Sequence, residues 1–392
     1  MHRTTDSDAT IHTRFPLPAR HDERRVPYAH RPQRKWHRRC RPNHHPKPHT
    51  RHHFQGVSLM IALTKRNLLL FTRNRTNMLF SLLGALIAFV LYIVFLKQTL
   101  EGNWTNAMNA GNAAVSAAAA HGSAAASTAT PVTVSDLLDP WLIGGILSIT
   151  AITTPLTGMS QMVYDRENGL TDDFRLACRS PWRIQASYLA SSAIIGFVMQ
   201  LIVLAVTGAY FTVIDHVTLP WRNAATDAKL LGLIALAAIF GAALAFALTV
   251  SVSTQRANSS LGTVIGTAAG FLSGVYVPLG AVPAGAQHVM KLWPGAYSAS
   301  LFRRLLLGDT ISDAFSAVPA SAAQNFRKDM GIGYEIGGSL TTPAQDLALL
   351  AGITVIIVLA VLLVRLGTRQ LSATNQRRGR GEHYLQGESR AR

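Results

Sequence analysis

The residues best suited to recognising another protein lie between Tyr164 and Arg183. This stretch, YDRENGLTDDFRLACRSPWR, holds eight Asp, Glu and Arg residues between two strongly apolar runs. Its charges are balanced and interleaved with Leu170, Phe174 and Leu176, a mixture that favours a docking surface over an ordinary solvated loop. Leu170 and Phe174, four residues apart, are predicted to share one face of a short helix.

Gly169 and its neighbours predict how this segment is built. Glu167 is placed near the start of a short helix, and Gly169 permits a break in helix direction. Asp172, Asp173 and Arg175 are predicted to form a charged rim around the apolar face. We therefore assign partner contact to Asp165, Arg166, Glu167, Asn168, Gly169, Leu170, Asp172, Phe174 and Arg175.

The elements that position this segment are apolar stretches of the length that a helix needs to cross a bilayer, roughly 20 residues. The sequence predicts six of them, at about Met78–Leu96, Trp141–Val163, Ile184–Ile214, Leu230–Val252, Ser260–Pro278 and Leu347–Val364. Asp139 and Thr342 each precede a proline and are predicted to cap the second and sixth spans. The fold class is therefore an all-α polytopic membrane protein.

Basic residues near the span ends predict the orientation, because cytoplasmic loops are enriched in Lys and Arg. Such residues precede the first span, occupy the 164–183 segment and follow the sixth span, whereas the loop 97–140 holds only Lys97. Both termini are therefore expected in the cytoplasm. The chain is expected to be a multi-pass protein of the cell membrane.

Two basic tails account for much of the formal charge of +17. Residues 1–56 are rich in Arg, His and Pro, so we expect a disordered tail. Residues 57–77 are predicted to form an interfacial amphipathic helix, 78–366 the transmembrane domain and 367–392 a basic cytoplasmic tail. The tails are expected to be attracted to anionic lipid in preference to binding a metal through the tail histidines, whose spacing matches no defined metal site. No nucleic-acid partner is expected.

The chain shows no energy source of its own. The six spans, as delimited, contain no Asp, Glu, Lys, Arg or His, whereas ion-coupled carriers usually keep an ionisable residue at membrane depth. A phosphate-binding loop requires Gly-Lys-Ser/Thr, and no lysine of this chain follows a glycine. An ATP-driven process would therefore need a separate ATPase.

Taken together, the order of these features resembles the permease subunits of ABC-2 type exporters. The matching residues are a basic helix over 61–77, the segment Tyr164–Gly169 followed by Ser180-Pro181, and the runs Gly274–Pro278 and Trp293–Tyr297 with Arg303-Arg304. The resemblance covers about residues 60–368. It implies a cytoplasmic coupling helix in the 164–183 segment and short re-entrant helices on the outer side, expected between Pro283 and Gly308 and broken at Pro294.

The resemblance also implies partners. A separate ABC ATPase subunit would bind ATP and Mg²⁺, this chain would hold no cofactor, and the nine partner-contact residues would become the ATPase-coupling residues. A second permease, either a copy of this chain or a paralogue, would complete the transporter. Closure of the ATPase pair would be transmitted through the coupling helix to spans two and three.

Two further patterns have two interpretations each. Gly262, Gly266, Gly270 and Gly274 are spaced by four, which suits close helix packing either within the chain or between two permeases. Hydroxyls in the second span suit packing, by bonding to the helix carbonyl four residues earlier, or a translocation path. The path residues would be Thr150, Thr153, Thr154 and Thr157.

Other classes of protein remain alternatives at this stage. A membrane receptor or immunity protein would act without an ATPase, and its recognition segment would look similar. A membrane-embedded enzyme is less consistent with the sequence, because G-x-S-x-G and H-E-x-x-H motifs are absent. Dependence on an ATPase distinguishes the exporter from both.

Overall fold

The structure is a computed structural model that describes residues 52–102, 105, 134–177, 181–214, 224–315, 320–361 and 363. The predicted tails over 1–56 and 367–392 lie outside the described residues, apart from the first turn of helix α1. The helices are α1 His52–Arg73, α2 Arg75–Ser81, α3 Leu83–Gly102, α4 Val134–Glu167, α5 Leu170–Ala177, α6 Pro181–Ile214, α7 Ala224–Thr249, α8 Gln255–Leu272, α9 Ala284–Leu292, α10 Pro294–Ala314, α11 Ala320–Asp329 and α12 Pro343–Val361. A hairpin of two short strands, β1 Glu335–Ile336 and β2 Ser339–Leu340, precedes α12.

Helix α4 is the centre of the bundle. It has 34 residues, and most of them are buried. At 1.5 Å per residue it is about 50 Å long. It packs against α3, α6, α7, α8 and α10. Close approach of α7 requires Gly241, where a Cβ atom would overlap the carbonyl of Ala151. We name the two ends of the bundle after one residue at each: the Asp165 end, where α4 ends, and the Arg303 end, where Arg303 of α10 contacts Trp141 near the start of α4.

Five of the described helices are long and apolar enough to cross a membrane: α3, α4, α6 from Trp182, α7 and α12. They correspond to the predicted spans one, two, three, four and six. The predicted span at Ser260–Pro278 is occupied by α8, an 18-residue helix that begins at Gln255 and ends at Leu272. The chain is thus an all-α protein with several potential membrane spans.

The predicted caps of the second and sixth spans had different outcomes. Thr342 is confirmed: its Oγ1 accepts the N–H of Gln345 at 3.3 Å, and the Gln345 side chain accepts the N–H of Thr342 at 2.8 Å. Asp139 as a cap is wrong, because α4 begins at Val134. Leu137 and Leu138 are buried, so the extra turn adds apolar contact to the core.

Inside α4, Asp139 is fully buried and accepts hydrogen bonds from two residues of helix α3. Its carboxylate accepts the Tyr92 hydroxyl at 2.6 Å and the Lys97 ammonium at 3.3 Å. Tyr92 begins a π-helical segment, Tyr92–Leu96. The spans as the structure delimits them therefore do contain charged residues, and the earlier inference that they lack them holds only for the narrower predicted boundaries.

The region before the first span is two helices rather than one. The predicted helix over 57–77 is interrupted at Asn74, whose side chain accepts the N–H of Asn77 at 3.1 Å and caps α2. Helix α1 packs along α6, where the Asn67 amide contacts the Ser191 hydroxyl at 3.4 Å. Near the other end of the bundle, the predicted helix break at Pro294 is confirmed, since α9 ends at Leu292 and α10 begins at Pro294.

Candidate functional site

The carboxylate of Asp165 is the centre of the site at its end of the bundle. Asp165 lies two residues before the end of α4 and is fully buried. The Arg66 guanidinium on α1 donates to both carboxylate oxygens, at 2.7 and 2.9 Å. Gln161 Nε2 donates at 2.8 Å and the Tyr188 hydroxyl of α6 at 2.5 Å. One carboxylate therefore joins α1, α4 and α6.

These bonds explain how a buried charge is tolerated, because burial without paired hydrogen bonds is costly. Arg66 is partly exposed, with 31% of its side chain accessible. The hydrogen bond with Asp165 raises the pKa of Arg66, although burial acts in the opposite direction. Asp165 is thus a structural joint and does not present its charge to a partner.

Phe174 of α5 attaches the short helix to this joint. The Arg66 guanidinium lies 5.2 Å from the centre of the Phe174 ring, within the range of a cation–π contact. Phe174 also packs against a cluster of buried residues, named here the Tyr188 cluster, which comprises Leu63, Leu156, Met159, Met162, Ile184, Tyr188, Ala245 and Phe246. Phe174 was predicted to face a partner, but in the structure it lies against the bundle.

Arg166 and Glu167 hold the turn between α7 and α8. Arg166 Nη1 donates to the carbonyl oxygens of Val250 and Val252 at 3.0 and 2.6 Å. Glu167 Oε2 accepts the backbone N–H of Gln255 at 2.8 Å. Gln255 opens α8, so an acidic group at this position favours the helix dipole. Glu167 therefore has an intramolecular role that its sequence position did not reveal.

The outward surface of the segment is helix α5. Gly169 joins it to α4 with φ of +74°, a left-handed conformation that glycine adopts without strain. Asp172, Asp173 and Arg175 are exposed and Leu170 is half-buried, and Arg175 pairs with Asp172 at 2.9 Å. Leu176 is the apolar residue that α5 presents outward, with 89% of its surface exposed.

Asn168 completes the turn at the end of α4. Its side-chain amide donates to the Tyr164 carbonyl at 2.9 Å, so it satisfies a carbonyl of the last helical turn. Of the nine predicted contact residues, Asn168, Gly169, Asp172 and Arg175 are exposed without reaching into the bundle, whereas Asp165 and Arg166 face inward. The exposed surface around α5 is thus adjacent to the buried joint at Asp165 but distinct from it.

The four glycines around α8 do not form one groove. A Cβ atom on Gly262 would meet nothing within 4 Å, one on Gly266 would touch Thr153 at 3.6 Å, and one on Gly270 would overlap the Tyr276 ring at 2.1 Å. Gly274 follows the end of α8 and has φ of +63°. Gly270 and Gly274 therefore have local roles within the chain, whereas the positions of Gly266 and Gly262 have room for a Cβ atom.

The hydroxyls of α4 bond mainly to their own helix. Thr150, Thr154 and Thr157 each donate to the carbonyl oxygen four residues earlier, at 2.7–3.0 Å. Thr153 does the same at 3.1 Å and also reaches Ser81 O at 3.0 Å. Thr150 and Thr154 are fully buried. Thr150 and Thr154 are therefore packed inside the bundle, whereas Thr153 and Thr157 are half-buried, and a translocation path along this helix stays a prediction.

Arg303 organises the opposite end of the bundle and had no assigned role in the sequence analysis. Its side chain is 1% exposed, and its guanidinium lies 4.5 Å from the centre of the Trp141 ring. All five of its hydrogen bonds end on backbone carbonyl oxygens. These belong to Trp141, Ser273, Gly274, Met330 and Gly331.

These carbonyls belong to separate parts of the chain, so Arg303 ties α4, the end of α8 and the α11–β1 loop to α10. A cation near the last carbonyls of α8 is also favourable to that helix. The approach of α10 to α4 requires Gly144, where a Cβ atom would lie 2.9 Å from the backbone nitrogen of Arg303. The signal in the sequence was a pair of arginines inside an apolar run, SLFRRLLL.

Arg304 forms a second link, to α12. It pairs with Asp346 at 3.2 Å, and Ser300 Oγ donates to the same carboxylate at 2.7 Å. Asp346 is fully buried. Among the described residues, no cluster of His, Cys, Asp and Glu has the arrangement of a metal site.

The family model of the ABC-2 type transporter matches residues 58–307. This range includes α1 from residue 58 onwards, the central helix α4, the Asp165 joint and Arg303. The chain belongs to the ABC-2 type transporter family. It is therefore a membrane-embedded transport permease, as its apolar helices also indicate. Searches among curated proteins and solved structures give no match.

Proposed function

We propose that this chain is the transmembrane subunit of an ATP-driven exporter, and that a separate ABC ATPase docks on α5. The observation that carries the proposal is a short helix with an outward leucine and a charged rim, fixed to three long helices at its base. Leu176 is 89% exposed, whereas Phe174 and Arg66 attach the same helix to Asp165. Apolar anchors with a polar surround are typical of protein interfaces.

The same contacts supply a mechanical route into the membrane domain. A displacement of α5 acts on Arg66 through Phe174, and Arg66 is bonded to the end of α4. Tyr188 carries the displacement to α6, and Arg166 and Glu167 carry it to the α7–α8 turn. Packed cores deform little, so we propose that closure of the ATPase pair moves these helices together.

Nucleotide chemistry belongs to the partner in this proposal. The sequence has no Gly-Lys-Ser/Thr loop, so ATP and Mg²⁺ would be bound by the ATPase subunit. The 164–183 segment would face the cytoplasm, with both termini on that side of the cell membrane, because basic residues flank it. Family membership supports the exporter class over a receptor, immunity protein or enzyme, and the proposed docking helix is in keeping with it.

We propose that α8 is the sixth crossing and faces a translocation path between two permeases. Ser259, Thr263 and Thr267 are exposed along one side of it, at intervals of four. A helix in contact with lipid on that side would expose hydroxyls to hydrocarbon, whereas a second permease would cover them. The second permease would be another copy of this chain or a paralogue. Helices α9 and α10 would be the re-entrant elements at the outer mouth.

The docking proposal is tested by co-expressing the tagged chain with candidate ABC ATPases from the same genome and measuring ATPase retention and ATP hydrolysis in bilayer nanodiscs. Leu176→Ala is expected to lower retention at least about fivefold, since removing an interface anchor commonly costs more than ~1 kcal/mol. The matched control is Leu292→Ala, an 81% exposed leucine at the Arg303 end of the bundle, which should retain the ATPase. Equal retention by Leu176→Ala and the wild type, or no ATPase retained by the wild type, would contradict the proposal.

A further inference from the structure

An apolar groove lies between α6, α7 and α12 near the Asp165 end of the bundle. It is open on one side, and nearly all of its lining is hydrocarbon. The lining residues are Trp182, Gln185, Ala186, Leu189, Ala243, Phe246, Val358 and Val361. Helices α6, α7 and α12 are all candidate membrane spans, so the groove opens towards the bilayer rather than towards water.

The groove lies where two candidate spans end, which corresponds to the edge of the membrane. Trp182 is the first residue of its candidate span and Val361 the last of its own. Tryptophan is enriched where hydrocarbon meets headgroups, and Trp182 is 45% exposed. An occupant would therefore have its polar part beside Trp182 and its apolar part along Leu189 and Val358. This is the geometry of a phospholipid.

Charge indicates which phospholipid. Arg183 directly follows Trp182 and is half-buried, and among the described residues it has no hydrogen-bond or ion-pair partner. The sequence places two further arginines, Arg365 and Arg369, after α12. Basic residues at the membrane surface attract anionic headgroups. The positive charge of Arg183 is thus complementary to an anionic lipid.

The groove shares residues with the Tyr188 cluster. Phe246 belongs to that cluster, and Leu189, Val361 and Phe174 each pack against it. A chain in the groove would therefore fill the outer surface of the packing that supports Phe174. Empty space beside a packed cluster forfeits dispersion contacts, so occupancy is expected to stiffen the base of α5.

We propose that the groove is a binding site for one acyl chain of an anionic phospholipid, with the headgroup at Arg183. The binding requires only the membrane location of the family. Its consequence for coupling rests on the proposed function, because the Tyr188 cluster supports the docking helix. The occupant is a bilayer lipid rather than a segment of this chain.

The test uses the purified full chain in phosphatidylcholine nanodiscs that contain a small fraction of phosphatidylglycerol with a photoreactive acyl chain. The comparison probe is phosphatidylcholine with the same photoreactive chain. Cross-linked peptides are mapped by mass spectrometry, which needs neither an ATPase nor a transport substrate. Ala186→Phe fills the groove, Arg183→Gln removes the charge, and Val198→Phe is a control on the exposed side of the same helix.

We expect the phosphatidylglycerol probe to label residues 182–189 and 358–361 more than the rest of the lipid-facing surface. Arg183→Gln should reduce the preference for the anionic probe about fivefold, the equivalent of about 1 kcal/mol for one basic residue at an anionic surface. Ala186→Phe should abolish groove labelling by both probes, and Val198→Phe should change neither. Uniform labelling of the whole surface, or groove labelling unchanged in Ala186→Phe, would overturn the proposal. Equal labelling of the groove by the two probes would overturn its anionic specificity.

Discussion

Arg66 and Asp165 form a two-pronged ion pair between residues 99 positions apart in the chain, with nitrogen–oxygen distances of 2.7 and 2.9 Å. Two parallel N–H···O bonds fix orientation as well as distance. Because Asp165 is fully buried, this pair sets the position of α1 relative to α4. It also sets the position of Phe174, whose ring lies under the same guanidinium.

Replacing Arg66 alone is expected to lower the stability of the protein more than replacing both Arg66 and Asp165. Arg66→Met leaves a buried carboxylate without its counter-charge, which typically costs about 3 kcal/mol. The double variant Arg66→Met/Asp165→Asn removes that charge and should recover part of the stability. The measurement is the thermal unfolding temperature of each purified variant, combined in a double-mutant cycle. Additive effects of the two substitutions would show that the ion pair does not determine the joint.

Membrane orientation is tested by labelling introduced cysteines after replacing the two native ones. Ser339 and Ser259 are both exposed but lie at the two different ends of the bundle. With both termini in the cytoplasm, Ser339→Cys should react with an impermeant reagent in intact cells, and Ser259→Cys only after permeabilisation. The reverse pattern would place α5 outside the cell, where no ATPase could reach it.

The glycines of α8 are distinguished by two alanine substitutions. Gly270→Ala would bring a Cβ atom to 2.1 Å from the Tyr276 ring, which is held by a hydrogen bond to the Gly84 carbonyl at 3.3 Å. Overpacking of this kind costs about 1–3 kcal/mol, so the unfolding temperature should fall. Gly262→Ala meets nothing within 4 Å and should be neutral or slightly stabilising, because alanine favours helix.

A larger substitution at Gly262 tests whether a second permease covers it. Gly262→Leu should leave the monomer stable yet weaken association of two subunits, as measured by the mass of the complex in nanodiscs. A complex of unchanged mass and stability would place the contact between permeases on another face. A fall in monomer stability equal to that of Gly270→Ala would indicate packing within the chain.

The apolar spans were predictable because a helix that meets hydrocarbon must be apolar over a fixed length. Helix α8 departs from that rule: it begins at Gln255, and its first turn carries the polar residues Gln255, Arg256 and Asn258, which lower its mean apolarity below that of the other five. The start of α4 was misjudged since the Asp139-Pro140 pair has the appearance of a cap. Its carboxylate is occupied instead by Tyr92, 47 residues earlier.

The sequence predicts a partner-contact segment at 164–183, and that role stays a prediction, but the sequence did not reveal which of its residues face the bundle. The segment at 164–183 does contain the exposed helix α5, and Gly169 does provide a left-handed turn. Phe174 was assigned outward because helical spacing identifies a shared face without showing which side of the helix meets the bundle. Asp165, Arg303 and their partners are separated by long stretches of chain, so no local pattern could have paired them.

Arg303 is expected to be needed for folding at its end of the bundle. Arg303→Lys keeps the charge but cannot supply five donors in a fixed plane, so several buried carbonyls would lose their partner, at about 1–3 kcal/mol each. Arg304→Lys is the matched control, since an ammonium can still pair with Asp346. The unfolding temperature in nanodiscs should fall much further for Arg303→Lys. An equal fall in unfolding temperature for the two variants would indicate that the hydrogen-bond geometry of Arg303 adds nothing to the effect of its charge.

Glu167 provides the sharpest contrast between the partner-contact role suggested by the sequence and the role shown by the structure. Its carboxylate accepts the Gln255 N–H at 2.8 Å, and removal of such an acceptor at a helix start costs about 1 kcal/mol. Glu167→Ala should therefore speed hydrogen exchange at residues 255–258 about fivefold, while Glu167→Gln, which keeps an oxygen acceptor, should change it little. ATPase retention should be the same in both variants, because the contact is within the chain. Retention lost in Glu167→Ala with unchanged exchange would show instead that this carboxylate faces the ATPase.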